Sequence, residues 1–139
     1  MIILDTNVLS ELTRQSPDQN VMSWLDALDA TDVGTTSVTA AELFYGVARL
    51  PAGDRKAQLT GAVTGLIEDD LEGRVAPFDL AAASHYAVVV SDREKAGRPI
   101  AVADAQIAAI CRNLRATLAT RNTKDFSGTG VDLVNPWLS

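Results

Sequence analysis

Cysteine and histidine are almost absent from this chain, with Cys111 and His85 each standing alone. One cysteine excludes an internal disulfide, and one histidine gives little support to structural zinc or to a Ser–His–Asp triad. Cys111, set among Ile107, Ala108, Ala109 and Ile110, reads as a packed thiol, and His85, beside Ala83, Ser84 and Tyr86, as a structural residue. Basic residues are scarce as well: 12 Lys and Arg face 18 Asp and Glu, for a net charge of −6. That balance argues against a general surface for nucleic-acid phosphates. No apolar run approaches the roughly 20 residues of a membrane-spanning helix. Nor does the chain open with a basic segment, an apolar core and a cleavage site, so a soluble, cytoplasmic protein with no membrane partner is expected. Glycine-rich phosphate loops are missing too, which leaves nucleotide binding poorly supported.

What the chain does have is 47% hydrophobic residues in short, spaced runs. Strand-like runs fall at residues 1–4, 33–36, 75–78, 116–119 and 131–134, and helix-like stretches at 8–14, 18–28, 38–50, 54–70, 80–96 and 102–114. Strands alternating with helices imply a parallel sheet, so a three-layer α/β fold forming one domain over residues 1–139 is expected. At this length roughly two-thirds of the unfolded chain's surface can be buried, enough for a self-sufficient core. The acid run Glu68-Asp69-Asp70-Leu71-Glu72 reads as a solvated helix end.

Four carboxylates, Asp5, Glu42, Asp104 and Asp125, stand just after these strands or on the helices that follow them. In open parallel sheets, ligands bind beyond the carboxyl ends of the strands, where these acids project. An all-oxygen cluster of this kind suits Mg²⁺ or Mn²⁺, and a bound cation answers the charge objection by presenting local positive charge to a phosphate. Each acid also has a plainer reading. Glu42 fits a capping box with Thr39, Asp125 fits a cap with Asn122, and Asp104 favours a helix dipole. Asp5 is hardest to read plainly, because the buried run Met1-Ile2-Ile3-Leu4 ends on it and an unpaired charge there costs several kcal/mol. Asp79 follows a strand too, but reads as the N-cap of the helix starting at Leu80.

The motifs Met1-Ile2-Ile3-Leu4-Asp5-Thr6-Asn7-Val8-Leu9-Ser10-Glu11, Ala41-Glu42-Leu43-Phe44-Tyr45-Gly46, Gly97-Arg98-Pro99-Ile100, Asp104-Ala105-Gln106-Ile107-Ala108-Ala109 and Leu118-Ala119-Thr120-Arg121-Asn122-Thr123-Lys124-Asp125-Phe126 together resemble a PIN-domain ribonuclease toxin of the VapC type, in its FitB-like branch. The likeness runs from Met1 to Asn135-Pro136-Trp137. It implies a Rossmann-like PIN fold, Mg²⁺- or Mn²⁺-dependent cleavage of RNA, and silencing by a VapB-type antitoxin. It also implies a homodimer or a larger toxin–antitoxin assembly, with promoter DNA bound only through the antitoxin. Carried over by position, Asp5, Glu42, Asp104 and Asp125 are the catalytic and metal-binding acids, with Asn7 and Thr120 as polar neighbours orienting a carboxylate or a water.

Leu9, Leu12, Phe44 and Tyr45 line a groove for an antitoxin helix or belong to the core, with core favoured for most of them. Arg49, Arg55, Lys56, Arg93, Lys95, Arg98 and Arg121 are scattered candidates for holding RNA. Two other classes fit parts of the pattern. A Mg²⁺-dependent phosphatase or phosphoacceptor domain also gathers acids at a parallel sheet, though an aspartyl phosphatase has a second Asp where this chain has Asn7, and a receiver-like domain leans on Asp79 and Lys124. A non-catalytic interaction module needs the acids only as caps.

Overall fold

The computed structural model describes residues 1–139. Strands β1 (Ile2–Leu4), β2 (Val33–Thr36), β3 (Val75–Ala76), β4 (Thr117–Ala119) and β5 (Asp132–Val134) form one sheet in the order β3-β2-β1-β4-β5, with every pairing parallel. Helices α1 (Thr6–Leu12), α2 (Gln19–Asp26), α3 (Ser37–Ala48), α4 (Asp54–Thr64), α5 (Leu80–Lys95) and α6 (Val102–Leu114) flank it. The three-layer parallel α/β arrangement is the one the alternating pattern implies.

The period of two along a strand divides the core. Ile3 and its β4 partner Leu118 point to one face, into a cluster with Val89 of α5, Ile107, Ala108 and Cys111 of α6, and Phe126. Leu4 and its partner Ala119 point to the other, among Val8, Leu9, Val21, Leu43 and Val63 from α1 to α4. Both faces of β1 are therefore covered, which is why its run is continuously apolar. Each fully buried Leu, Ile or Val contributes on the order of 1.5–3 kcal/mol. No helix is long and apolar enough to cross a membrane.

Local chemistry shifts several boundaries. α1 begins at Thr6 rather than at residue 8 because the Asp5 side chain accepts from the Thr6 N–H and caps it. The stretch read as one helix over 54–70 is two pieces: α4 ends at Thr64, and Gly65–Asp70 continues as a π-helical segment closed by Leu71 N–H donating to the Leu66 carbonyl. Gly61 and Gly65 weaken the α-helical preference there, and the wider turn brings Ile67 and Leu71 into the core while Glu68, Asp69 and Asp70 stay exposed. β3 stops after two residues because Pro77 has no N–H for the ladder.

Candidate active site

The carboxyl edge of the sheet is built around Asp5. Its own N–H donates to the Ala119 carbonyl at 2.9 Å, extending the β1–β4 ladder by one residue, and its side chain is only 5% exposed. Oδ1 accepts from Thr6 N–H at 2.8 Å, and Oδ2 accepts from Thr120 Oγ1 at 2.7 Å and Asn7 Nδ2 at 3.3 Å. Asn7 also donates to Thr120 Oγ1 at 3.2 Å and accepts from Arg121 N–H at 3.0 Å, tying the ends of β1 and β4 together. Thr120 is fully buried and accepts from Asn122 N–H at 3.1 Å, which turns the chain toward Asp125. Asn7 and Thr120 thus both contact Asp5. Even so, burial pushes the Asp5 carboxyl above its usual range, with Glu42 adding to the rise, and the donors from Thr120, Thr6 and Asn7 only partly offset it.

Glu42 lies in the second turn of α3 and is exposed. The capping-box reading fails: Thr36 is the cap, its Oγ1 accepting from Thr39 N–H at 3.0 Å, so Glu42 lies too far along the helix to reach back. Its Oε1 instead accepts from Thr6 Oγ1 at 2.7 Å, which links α3 to α1 beside Asp5. Thr6 was not singled out by sequence, although its place between two site residues in Asp5-Thr6-Asn7 is the signal that could have found it. Asp104 sits half-buried in the first turn of α6. Burial pushes its carboxyl from 3.8 to about 6, the charges of Asp5, Asp125 and Glu42 add to the rise, and Arg93 pulls the other way. Asp125 is exposed in the short 3₁₀ turn Thr123–Phe126, whose cap residue Asn122 makes no side-chain capping bond. Asp79 does cap α5, accepting from Ala82 N–H at 3.0 Å.

The four acids therefore share one electrostatic neighbourhood, drawn from β1, α3, α6 and the turn after β4. As the side chains stand, no three Asp, Glu, His or Cys form a ready coordination shell. The donor set is nevertheless all carboxylate and hydroxyl oxygen, and burial together with the neighbouring acids raises the Asp104 carboxyl further than the charge of Arg93 lowers it. In chemistry and charge the set fits a hard divalent ion.

The cations suggested for RNA are mostly engaged elsewhere. Arg93 is buried and bonded to carbonyls, Lys56 donates to the Ala48 carbonyl, and Arg98 donates to Ser127 Oγ. Arg121 lies over the Trp137 ring and Arg49 over Tyr45. Leu9 is core and Leu12 half-buried, whereas Phe44 and Tyr45 are 41% and 66% exposed, so of the two alternatives the core fits Leu9 and not Phe44 or Tyr45. Cys111 is fully buried, its thiol pushed up to about 12 by burial, and His85 Nδ1 accepts from Arg112 Nε at 3.4 Å beside the opening residues of β5.

Fold and site together define a parallel α/β domain with an acidic pocket at the carboxyl edge of its sheet. A family model described as "PIN domain" matches residues 2–131. The chain is 40% identical over 137 residues to VapC ribonuclease Y4jK of Sinorhizobium fredii, covering 99% of this chain and 98% of that protein. It is 42% identical to toxin FitB of Neisseria gonorrhoeae, covering 99% of each. The solved structure of FitAB bound to an IR36 DNA fragment superposes with a TM-score of 0.92 at 41% identity, covering 99% of this chain and 96% of that one. The chain belongs to the PIN-domain family, in the group of VapC and FitB toxins, and that membership implies a nuclease.

Proposed function

We propose that this protein is an endoribonuclease toxin whose Asp5, Glu42, Asp104 and Asp125 hold Mg²⁺ or Mn²⁺. The observation that carries the reading is the convergence of four acids from β1, α3, α6 and the turn after β4, where burial and then the charges of Asp5, Asp125 and Glu42 raise the Asp104 carboxyl toward about 6, a cost that a divalent cation removes. When bound, such an ion lowers the pKa of a water and offsets charge on the phosphoryl oxygens. The chain's own residues do the rest. Thr120 and Asn7 fix the Asp5 carboxylate through Oδ2, leaving Thr6 N–H to hold Oδ1, and Thr6 Oγ1 sets the rotamer of Glu42. Asp5 at the end of β1 and Glu42 on α3 are thus both oriented through Thr6 of α1, while α6 and the turn after β4 carry Asp104 and Asp125. Products carrying 5′-phosphate and 3′-hydroxyl ends are expected, because attack by water spares the ribose 2′-hydroxyl.

The relatives named as a VapC ribonuclease and as a toxin support the RNA and toxin parts of the reading. A VapB-type antitoxin is the proposed partner, an Arg from it pairing with these carboxylates, within a homodimer or higher assembly that reaches promoter DNA only through the antitoxin. The FitAB relative bound to DNA supports that arrangement. The test is cleavage of a tRNA, rRNA and single-stranded RNA panel by partner-free protein in Mg²⁺, Mn²⁺ or EDTA, with Asp5→Asn purified alongside. Metal-dependent cutting that falls at least about a hundredfold in Asp5→Asn is expected, a loss on the scale of removing a group that stabilises the transition state. Equal cutting by both proteins overturns the assignment.

A further inference from the structure

Arg93 is a buried cation with no acid in ion-pair contact. It is 6% exposed, and the chain's one ion pair joins Arg14 to Glu11 instead. Burying a guanidinium costs several kcal/mol unless its donors are met. Here they are met by three backbone carbonyls: Nε donates to Arg98 O at 2.6 Å, and Nη1 donates to Asp125 O and to Ser127 O, each at 2.9 Å. A planar fork can serve carbonyls on two segments at once, which a lysine ammonium on a flexible stem does poorly.

Those two segments are the ones that deliver half of the acidic pocket. Arg98 lies in the connection from α5 to α6, where Gly97 adopts φ +72° and Arg98 N–H returns to the Arg93 carbonyl at 2.9 Å. Six residues further on stands Asp104. Asp125 and Ser127 belong to the turn after β4, pinned from beneath by buried Phe126. Arg98 closes the ring from outside, donating through Nη2 to Ser127 Oγ at 2.6 Å and to Lys124 O at 3.4 Å.

We propose that Arg93, with Arg98 outside it, is a positioning residue that locks the Asp125 turn to the start of α6, and so sets Asp104 and Asp125 relative to each other for cation binding. The proposal rests on the reading of these acids as a metal site. Arg93 touches no carboxylate of the pocket through the bonds described; it acts through backbone, and its charge serves the pocket from behind.

The experiment measures Mn²⁺ affinity by titration calorimetry, and RNA cleavage as a function of Mn²⁺, for wild type, Arg93→Lys, Arg98→Met and Asp104→Asn, with circular dichroism to establish folding. Arg93→Lys keeps the charge and loses the fork. Its Mn²⁺ dissociation constant is expected to rise about tenfold, the lower end of what supporting groups contribute to metal affinity, while the KM for RNA at saturating Mn²⁺ stays within about twofold. Arg98→Met, at an exposed position, is expected to weaken Mn²⁺ binding about threefold, in keeping with its smaller share of the bonds. A merely structural role lowers the melting temperature of both variants and leaves the Mn²⁺ affinity of the folded protein unchanged, which overturns the proposal. Should Arg93→Lys not fold, Arg98→Met decides, and wild-type affinity there overturns it as well. Asp104→Asn separates the two claims: undiminished Mn²⁺ binding by that variant defeats the metal reading itself, whereas lost binding there beside intact binding in both arginine variants defeats only the positioning role.

Discussion

Asp104 shows how a single side chain can work against the fold that carries it. Its place in the first turn of α6 favours a negative charge by roughly 0.3–1 kcal/mol, yet its titration moves up to about 6, so burial and the three neighbouring acids outweigh the helix. Linkage gives the sign. Between about 4 and 6 the folded state keeps a proton that the unfolded state has lost, so metal-free protein loses stability as pH rises through that window. Asp104→Asn is therefore expected to melt about 2–4 °C above wild type at pH 7.5 without metal, a modest gain because Asp104 is half-exposed and screened, with the gap closing by pH 4. Saturating Mn²⁺ reverses the order, since a ligand at a hundredfold excess over its Kd adds about 2.7 kcal/mol to wild type alone. Thermal melts over pH, with and without Mn²⁺, check both halves; a variant less stable than wild type at pH 7.5 without metal contradicts the electrostatic account. Asp5 was legible in the sequence because it ends a buried strand, and Glu42, Asp104 and Asp125 through the motifs around them. Thr6 and Arg93 were not, because their work is a hydrogen bond across 36 residues in one case and bonds to backbone carbonyls in the other, and neither leaves a periodic trace.

At the scale of elements, the strand runs were legible almost to the residue, and α6 falls on the residues its apolar spacing indicates. A parallel sheet buried on both faces leaves continuous apolar runs, which are hard to mistake between glycine and proline punctuation. What escaped was geometry with no side-chain pattern: the π-helical segment after α4, and the close contact of β2 with the chain entering β3. Gly34 sits in β2 where an added Cβ would lie 2.6 Å from the Arg74 carbonyl oxygen, and that same carbonyl accepts from Thr35 N–H at 3.0 Å. Backbone cannot yield as a flexible side chain can. Gly34→Ala is thus expected to cost about 1–3 kcal/mol, the usual range for overpacking, and to loosen β3 at the sheet edge first. Urea unfolding with amide exchange at Thr35 and Ala76 measures it; an unchanged midpoint with full protection at both means the strands part without strain.

For the molecule as a whole, the proposed RNA substrate sets a charge problem, since a chain of net charge −6 repels a polyanion. The cleft beside Thr6 and Glu42 runs past Ser10, Thr13 and Arg55 toward Arg14 and Gln58. Within it Arg14 is already paired with Glu11, which leaves Arg55 as the cation free to meet a phosphate. On the proposed reading the remaining attraction comes from a divalent cation held by the four acids. That division predicts weak dependence on monovalent salt. For single strands each neutralised phosphate contributes a slope of about −0.7 in log affinity against log salt, so one or two contacts give a slope of roughly −0.7 to −1.4. The KM for RNA at saturating Mg²⁺, followed from about 50 to 200 mM KCl, reads this slope directly, and Arg55→Gln should make it shallower by about 0.7. A slope steeper than about −3 requires four or more neutralised phosphates, more than this cleft supplies, and moves RNA recognition to a surface completed by a second chain.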